Sequence, residues 1–248
     1  MNRDAVAAPD PADETADDRL SLADWRRRVA DLYSEVRAMA VADPESAWRR
    51  WREIREWLFR EHPQSPVPAA ERSTFEEHHW PYDPGLRFEL RVIEDEGEDA
   101  ASDARGALPA ASPPGGGPGI NFGGGLGTLV LPISTGGERS FSRIGWLEVP
   151  FAAGARRLGL YWMAGYAGGL FLPFRDATNG DQTYGAGRYL LDAAKSADLG
   201  GDAERRTLIL DFNFSFHPSC AFDPRWSCPL SPPENRLDLP VEAGERLR

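Results

Sequence analysis

Short apolar segments, separated by turn residues, follow one another along most of the chain after residue 85. Their spacing is too short for crossover helices, so we expect neighbouring strands to pair antiparallel. The predicted strands are 86–93, 128–133, 142–149, 157–163, 169–175, 184–191 and 207–214. Because closure removes unpaired strand edges, the six strands after residue 127 predict a meander that closes into a barrel or a strongly curled sheet.

The amino-terminal region has helical periodicity instead. Apolar residues recur at steps of three and four from residue 21, with Ser21 as the expected N-cap. A second helix is predicted to begin at Asp43, where a capping residue precedes a proline and a first-turn acid, and to end at Pro63. Its Trp48 and Trp51 lie at helical spacing, which favours packing on the β domain over stacking on bases or sugars. The predicted fold class is mainly β (α+β), with two amino-terminal helices packed on the sheet.

The chain divides into a predicted disordered acidic tail at 1–20, a helical hairpin at 21–62 and a β domain at 63–248. The tail has neither the basic n-region nor the apolar h-region of a signal peptide. Within the β domain, an acidic run joins a proline and glycine run, which predicts a flexible insertion at about 94–127. The glycines of this insertion lack the dinucleotide and Walker patterns, so we expect no phosphate cradle there.

Charge and composition exclude several function classes. A formal net charge of -11 argues against a surface that binds DNA or RNA. No apolar run approaches the length of about 18 residues that a membrane span needs, so we expect a cytoplasmic protein with no membrane partner. Lys195 is the only lysine, so Schiff-base or pyridoxal chemistry would depend on it alone. We expect no cofactor.

A polar turn links two of the predicted strands. Asn179 and Gly180 both tolerate the positive φ of a type I′ turn, so they predict a tight hairpin. Asp176, Asn179 and Asp181 are an alternative set of calcium ligands. Their spacing departs from the calcium-loop pattern, and no tandem repeat supports a calcium β-roll, so the turn is favoured.

The predicted strand at 207–214 has an apolar face and an opposite face that carries Asp211 and Asn213. Tyr184 and Arg188 share one side of the strand after the polar turn. We expect Arg188 and Asp211 to meet at a partly enclosed polar site. The proline-rich segment that follows is predicted to be irregular and to cover the same end of the sheet.

Long motifs of unusual composition follow the polar turn: TYGAGRYL, LDFNFSFHPSCAFDPRWSCPLSPPENRL and VEAGER. Together with FREHPQSPVPAAERSTF and WPYDPGLRFEL, they resemble a bacterial and archaeal family called domain of unknown function 1684. The resemblance covers roughly residues 48–248 apart from the insertion. It implies a mainly β fold and brings no established activity, so no catalytic residue is carried over. His217 stands where the family pattern has Asn, so a role for His217 would be particular to this protein or its close relatives.

Cys220 and Cys228 are the only cysteines. Their spacing matches neither a C-x-x-C motif nor a full zinc set, although His217 could be a third ligand. Free thiols are favoured in a reducing cytoplasm, with a disulfide and a metal site as alternatives. His78 and His79 are adjacent, so their side chains diverge and no third ligand lies at a recognisable spacing. We therefore expect no metal.

Seven residues form the candidate ligand site: Tyr184, Arg188, Asp211, Asn213, His217, Glu234 and Asn235. The favoured function is a β-barrel-like module that binds a small polar or anionic ligand. The first alternative is a hydrolase-like or other enzyme, in which Asp211 or Glu234 is the general acid or base and Arg188 orients an anionic substrate. The second is a purely structural or interaction protein, in which Arg188 and Asp211 form a buried ion pair. No recognisable catalytic motif decides between them, and the oligomeric state stays open.

Overall fold

The computed structural model describes residues 15–94, 128–136, 138–165 and 168–248. Most of the predicted tail and nearly all of the predicted insertion, residues 1–14 and 95–127, lie outside the described residues. Two helices open the described chain, α1 at Ala16–Met39 and α2 at Pro44–Glu61. Asp43 caps α2 and Pro44 is its first residue, as the sequence predicts.

The first helix begins six residues earlier than expected, and Ser21 as its N-cap is wrong. Thr15 is the N-cap: its hydroxyl accepts a hydrogen bond from the Asp18 backbone N–H at 3.2 Å. In return, the Asp18 carboxylate accepts the Thr15 backbone N–H at 3.0 Å. This reciprocal capping box satisfies two backbone donors that the first turn of a helix leaves unpaired. The acids of this segment therefore begin the helix.

Five strands form one antiparallel sheet in chain order, as the predicted meander requires. The strands are β3 at Thr128–Pro132, β4 at Glu138–Phe151, β5 at Gly154–Met163, β6 at Gly169–Phe174 and β7 at Arg188–Asp192. The sheet is strongly curled into a half-barrel, which confirms the predicted fold class.

The sixth predicted strand belongs to a different sheet. The remaining strands are β1 at His78–His79, β2 at Arg87–Arg91, β8 at Gly201–Asp202, β9 at Thr207–Asp211 and β10 at Glu245–Arg246. Strand β9 lies between β2 and β8, and β1 pairs with β10. Strand β9 ends at Asp211 because the Asp211 carboxylate accepts the Asn213 backbone N–H at 3.0 Å and starts a 3-10 turn. Asp211 and Asn213 therefore do not alternate along one strand.

The type I′ hairpin predicted at Asn179-Gly180 is wrong. Gly180 has a φ of 90°, but among the described residues Asn179 is not one of those with positive φ. The Asn179 side chain instead accepts the Asp176 backbone N–H at 2.6 Å and donates to the Thr183 hydroxyl and the Tyr184 carbonyl. These contacts build a longer polar loop between β6 and β7. As a result, β7 starts at Arg188 and not at Tyr184.

Two tryptophans of α2 pack against α1 and against the 3-10 turn at Phe212–Phe214 that follows β9. The ring of Trp51 lies 5.2 Å from the ring of Phe214, and its indole N–H donates to the Tyr33 hydroxyl at 3.1 Å. Trp48 donates to the Asn213 carbonyl at 2.9 Å. Both tryptophans are buried, so the helical stripe is part of the core.

Candidate functional site

A cavity of about 440 Å³ lies between the two helices and the curled sheet. Its volume falls within the range of about 300–1,000 Å³ that small-molecule pockets occupy. Aromatic and aliphatic side chains supply most of its wall. They include Leu22, Trp25, Phe59, Met163, Tyr189 and Phe216. We call this space the helix–sheet cavity.

The single lysine of the chain lines this cavity. Lys195 ends a one-turn 3-10 helix at Ala193–Lys195, which Asp192 caps by accepting the Ala194 backbone N–H at 3.1 Å. The Lys195 ammonium donates to the Ser219 hydroxyl at 3.1 Å. It also lies 6.0 Å from the centre of the Tyr189 ring and 5.5 Å from that of Phe216. Aromatic faces attract a cation, so these rings help to hold the ammonium group in place.

The polar groups of the cavity are mainly cationic. Arg26 and Arg139 line it together with Lys195, and none of the three makes a salt bridge within the described part of the chain. Arg55 also faces the cavity, but two carboxylates, Glu77 and Glu245, pair with it. Asp192 is the carboxylate on the wall, and burial raises its pKa. Cationic side chains are therefore concentrated at this cavity, although the chain has a net charge of -11.

His217 is the member of the predicted ligand site that lines the helix–sheet cavity. Its Nε2 accepts the Tyr184 backbone N–H at 3.2 Å, and its Nδ1 lies 3.5 Å from a Glu245 oxygen. Burial opposes ionisation of Glu245, but Arg55 and His217 lower its pKa. Because both ring nitrogens face protein groups, this geometry suits a structural histidine better than a third metal ligand or a general base.

The predicted pairing of Arg188 with Asp211 is wrong. Arg188 is fully buried and donates to the Asp176 carboxylate at 3.0 Å. Asp211 instead pairs with Arg87 at 3.1 Å. Strand register explains the difference, because Arg87 lies directly opposite Asp211 in the pairing of β2 with β9. Arg188 pairs with Phe174 across β6 and β7, close to the loop that carries Asp176.

Two predicted ligand-binding amides hold backbone groups. Asn213 accepts the Asp83 backbone N–H at 2.8 Å and donates to the Asp83 carbonyl at 2.8 Å. Asn235 accepts the Gly159 N–H at 2.6 Å and donates to the carbonyls of Gly159 and Pro173 at 2.9 and 2.7 Å. Both amides are completely buried. They tie loops to strands, as buried amides commonly do.

Glu234 and Tyr184 complete the predicted set. Glu234 accepts the Tyr161 hydroxyl at 2.7 Å, and Arg143 lies 3.6 Å away. Burial and the neighbouring Cys220 raise the pKa of Tyr184 to about 12. The seven residues are thus spread over several local networks. The sequence did not predict the apolar walls of the cavity, because they come from segments far apart in the chain. The presence of a single lysine, Lys195, could have marked it as a candidate residue of this cavity.

A buried acid, Glu77, and a buried histidine, His79, lie near Arg55. Burial raises the pKa of Glu77 to about 8, and burial lowers the pKa of His79 to about 3. Their nearest side-chain atoms, Glu77 Oε2 and His79 Nε2, are 3.9 Å apart. Neither of these atoms has a hydrogen-bond partner among the described residues. His79 therefore favours its neutral form in the fold.

The cysteines lie next to the cavity. Both are buried free thiols, and the Cys220 backbone N–H donates to Cys228 Sγ at 3.4 Å. Cys228 lines the cavity. Over the described residues, no three or more His, Cys, Asp or Glu side chains are grouped so as to hold a metal ion.

Comparison with known proteins identifies the carboxy-terminal half. The family described as Protein of unknown function (DUF1684) matches residues 127–246. The match confirms the resemblance seen in the carboxy-terminal motifs, and the two amino-terminal motifs lie outside the matched residues. The cavity wall contributed by Lys195, His217 and Cys228 lies within the matched region.

An NMR structure supports the fold assignment. The chain is similar to an uncharacterized protein of Haloarcula marismortui, with 28% identity and a TM-score of 0.53. The similarity covers 84% of this chain and 96% of the archaeal protein. No curated protein matches the chain. Among the described residues, none of the helices combines the length and apolar character that crossing a bilayer requires.

Proposed function

We propose that this protein binds an amphipathic organic anion in the helix–sheet cavity. The observation that carries the proposal is the position of Lys195, which lines an apolar cavity of about 440 Å³ without a carboxylate within salt-bridge distance among the described residues. The apolar part of the ligand contacts the aromatic wall, and its carboxylate meets the ammonium group. A long-chain or aromatic carboxylate has this chemistry.

The energetic argument rests on the division of the wall into apolar and cationic parts. Burial of apolar ligand surface contributes about 25 cal/mol per Å², and a hydrogen bond to a charged group contributes about 1.5–3 kcal/mol. Lys195 is oriented by Ser219 and by two aromatic rings, so little ordering of the lysine is needed on binding. Arg26 and Arg139 are exposed and add positive potential at the cavity.

The enzyme alternative has less support. Asp211 is occupied by Arg87 and by the Tyr82 hydroxyl, and Glu234 is occupied by Tyr161. Arg188 donates to Asp176 and to main-chain carbonyls, so it offers little to an anionic substrate. These partners favour structural roles for the three residues that the enzyme reading needs.

A titration with sodium dodecanoate tests the proposal, with tryptophan fluorescence and calorimetry as the two measurements. We expect saturable binding of one molecule per chain and at least tenfold weaker binding of dodecyltrimethylammonium, which has a similar tail and the opposite charge. Lys195→Gln should weaken dodecanoate binding about tenfold, which corresponds to about 1.4 kcal/mol. Ala194→Trp places a large ring at an exposed position of the cavity and should also weaken binding.

Arg205→Gln is the matched control, because it removes one positive charge from a highly exposed side chain that is not part of the cavity wall. Its dodecanoate affinity should equal that of the unmodified protein. Absence of saturable binding would contradict the proposal. An equal loss of affinity in Lys195→Gln and Arg205→Gln would contradict the assigned role of Lys195.

A further inference from the structure

The two cysteines are held against each other by separately anchored segments. Cys220 lies in a 3-10 turn at Ser219–Ala221 and donates its backbone N–H to the sulfur of Cys228 at 3.4 Å. Cys228 is fixed from the other side, since its N–H donates to the Ser134 hydroxyl at 3.0 Å and its carbonyl accepts the Ser134 N–H at 2.9 Å. The two thiols therefore lie close enough to interact directly, as disulfide formation requires.

The surroundings of Cys220 favour a thiolate. The Cys228 thiol acts as a hydrogen-bond donor and, against the opposing effect of burial, lowers the pKa of Cys220 to about 6; the Tyr184 hydroxyl and the charge of Lys195 act in the same direction. Lys195 is held close by its hydrogen bond to Ser219, the residue before Cys220. Hydrogen-bond donors and a nearby cation are the features of reactive cysteines.

We propose that Cys220 and Cys228 form a redox-active dithiol that reduces hydroperoxides. Cys220 is the attacking sulfur and Cys228 is the resolving sulfur. The Cys220 thiolate attacks the terminal oxygen of ROOH, the O–O bond breaks, and ROH leaves with the proton that the thiol gave up. Cys228 then attacks the sulfur of Cys220–SOH, and one water leaves as the S–S bond forms. In sum, two thiols and ROOH give one disulfide, ROH and water.

The position of the pair beside the helix–sheet cavity supports a dithiol that a small hydroperoxide can reach. Cys228 lines the cavity, and Cys220 lies behind the wall, against the Cys228 sulfur. Cys220 and Cys228 are 7% and 6% exposed, so bulky oxidants are excluded. The Cys228 sulfur already lies next to Cys220, as a resolving thiol must. This inference does not require the proposed binding of an organic anion, because it rests on the contact between the two cysteines and on the groups around Cys220.

The test treats fully reduced, full-length protein with a small excess of hydrogen peroxide and follows intact mass and free thiols. The chain has two cysteines, so an intramolecular disulfide can only join Cys220 and Cys228. We expect the mass to fall by two hydrogens, both thiols to disappear, and dithiothreitol to restore them. The rate should rise with pH through a midpoint near 6, the pKa of Cys220. Oxidation without an intramolecular disulfide would overturn the proposal.

Single variants assign the roles. Cys228→Ser should retain the first step and accumulate a Cys220 sulfenic acid that dimedone traps, while Cys220→Ser should react at least tenfold more slowly and give no adduct. Tyr184→Phe removes one hydroxyl near Cys220, so the midpoint of the pH profile should move upward with the disulfide still formed. Equal reactivity of the two serine variants would contradict the assigned order. If a variant fails to fold, the measurement on the unmodified protein still shows whether Cys220 and Cys228 form an intramolecular disulfide.

Discussion

Arg188 and Asp176 form an ion pair at 3.0 Å in which both side chains are completely buried. The guanidinium also donates to the carbonyls of Val241 and Glu245 at 2.8 and 3.2 Å, and to that of Ala243. Asp176 in turn accepts the Val241 backbone N–H at 2.7 Å. Burial lowers the pKa of Arg188 to about 10. The pair therefore anchors the carboxy-terminal segment to β7 through charge-assisted hydrogen bonds.

Removal of the Arg188 charge should strongly destabilise the fold. Arg188→Met leaves the buried Asp176 carboxylate without its counter-ion and several main-chain carbonyls without their donor, so we expect the free energy of unfolding to fall by about 3–5 kcal/mol. Urea unfolding followed by circular dichroism measures this change. Combining Arg188→Met with Asp176→Leu should restore only part of it, because the carbonyls of Val241 and its neighbours still lack a donor. Full recovery in the double variant would contradict the anchoring role.

The backbone at Gly187 should tolerate no side chain. Its φ is 102°, and a Cβ at this position would lie 2.4 Å from the Phe174 carbonyl oxygen. Gly187→Ala should cost more than the roughly 1–3 kcal/mol of a strained φ alone, because the carbonyl belongs to a paired strand. Gly180→Ala is the matched control, since Gly180 has a φ of 90° with nothing within 4 Å of the added Cβ. If Gly187→Ala and Gly180→Ala lowered the free energy of unfolding in urea equally, the predicted clash with the Phe174 carbonyl would be excluded.

Asn235 should be required in its amide form. Asn235→Ala leaves the N–H and carbonyl of Gly159 and the carbonyl of Pro173 unsatisfied in the interior. At about 1–3 kcal/mol for each unpaired buried group, a loss of at least about 3 kcal/mol is expected. Asn235→Asp should be worse at neutral pH than at pH 4, because an ionised carboxylate cannot donate to the two carbonyls. A melting temperature that does not depend on pH in the aspartate variant would argue against this geometry.

Buried His79 should contribute a loss of stability in mild acid, opposite in sign to the contribution of its neighbour Glu77, whose raised pKa favours the fold as the pH is lowered. The pKa of His79 is about 3 in the fold, below the ordinary value of 6.5, so between these values the unfolded chain binds more protons and stability falls as the pH is lowered. The contribution reaches about 2 kcal/mol at pH 5. His79→Phe keeps a ring against Trp48 and Trp51 and should remove this part of the pH dependence.

The measurement for His79 is the free energy of unfolding in urea at pH 7 and pH 5. The stability of His79→Phe relative to the unmodified protein should increase as the pH falls. His78→Gln is the control, because His78 lies beside it on β1 and its Nε2 accepts a hydrogen bond from Arg248 at an exposed position. A parallel fall in stability for the unmodified protein and His79→Phe would show that other groups cause the acid sensitivity.

The local features of this fold follow from the sequence. Asp43-Pro44 begins α2 because the capping carboxylate and the fixed proline φ act over one turn, and the tryptophans at helical spacing are buried as expected. The five strands after residue 127 pair in order, because short connections bring neighbouring strands together. The start of α1 also has a signal in the sequence, because Thr15 and Asp18 have the spacing of a capping box. The high acid content of this segment favoured a disordered tail instead.

Only the tertiary structure decided which polar residues meet. Arg188 and Asp211 had the right charges, but the partner of each is set by strand register, which places Arg87 opposite Asp211 and brings the Asp176 loop to Arg188. The side chains of Asn213 and Asn235 bind backbone groups because the fold brings distant segments of the chain against them. The cavity beside Lys195 arises from helices and strands far apart in the chain. Alternation and capping act over a few residues and are written in the sequence, whereas these contacts depend on how whole elements pack.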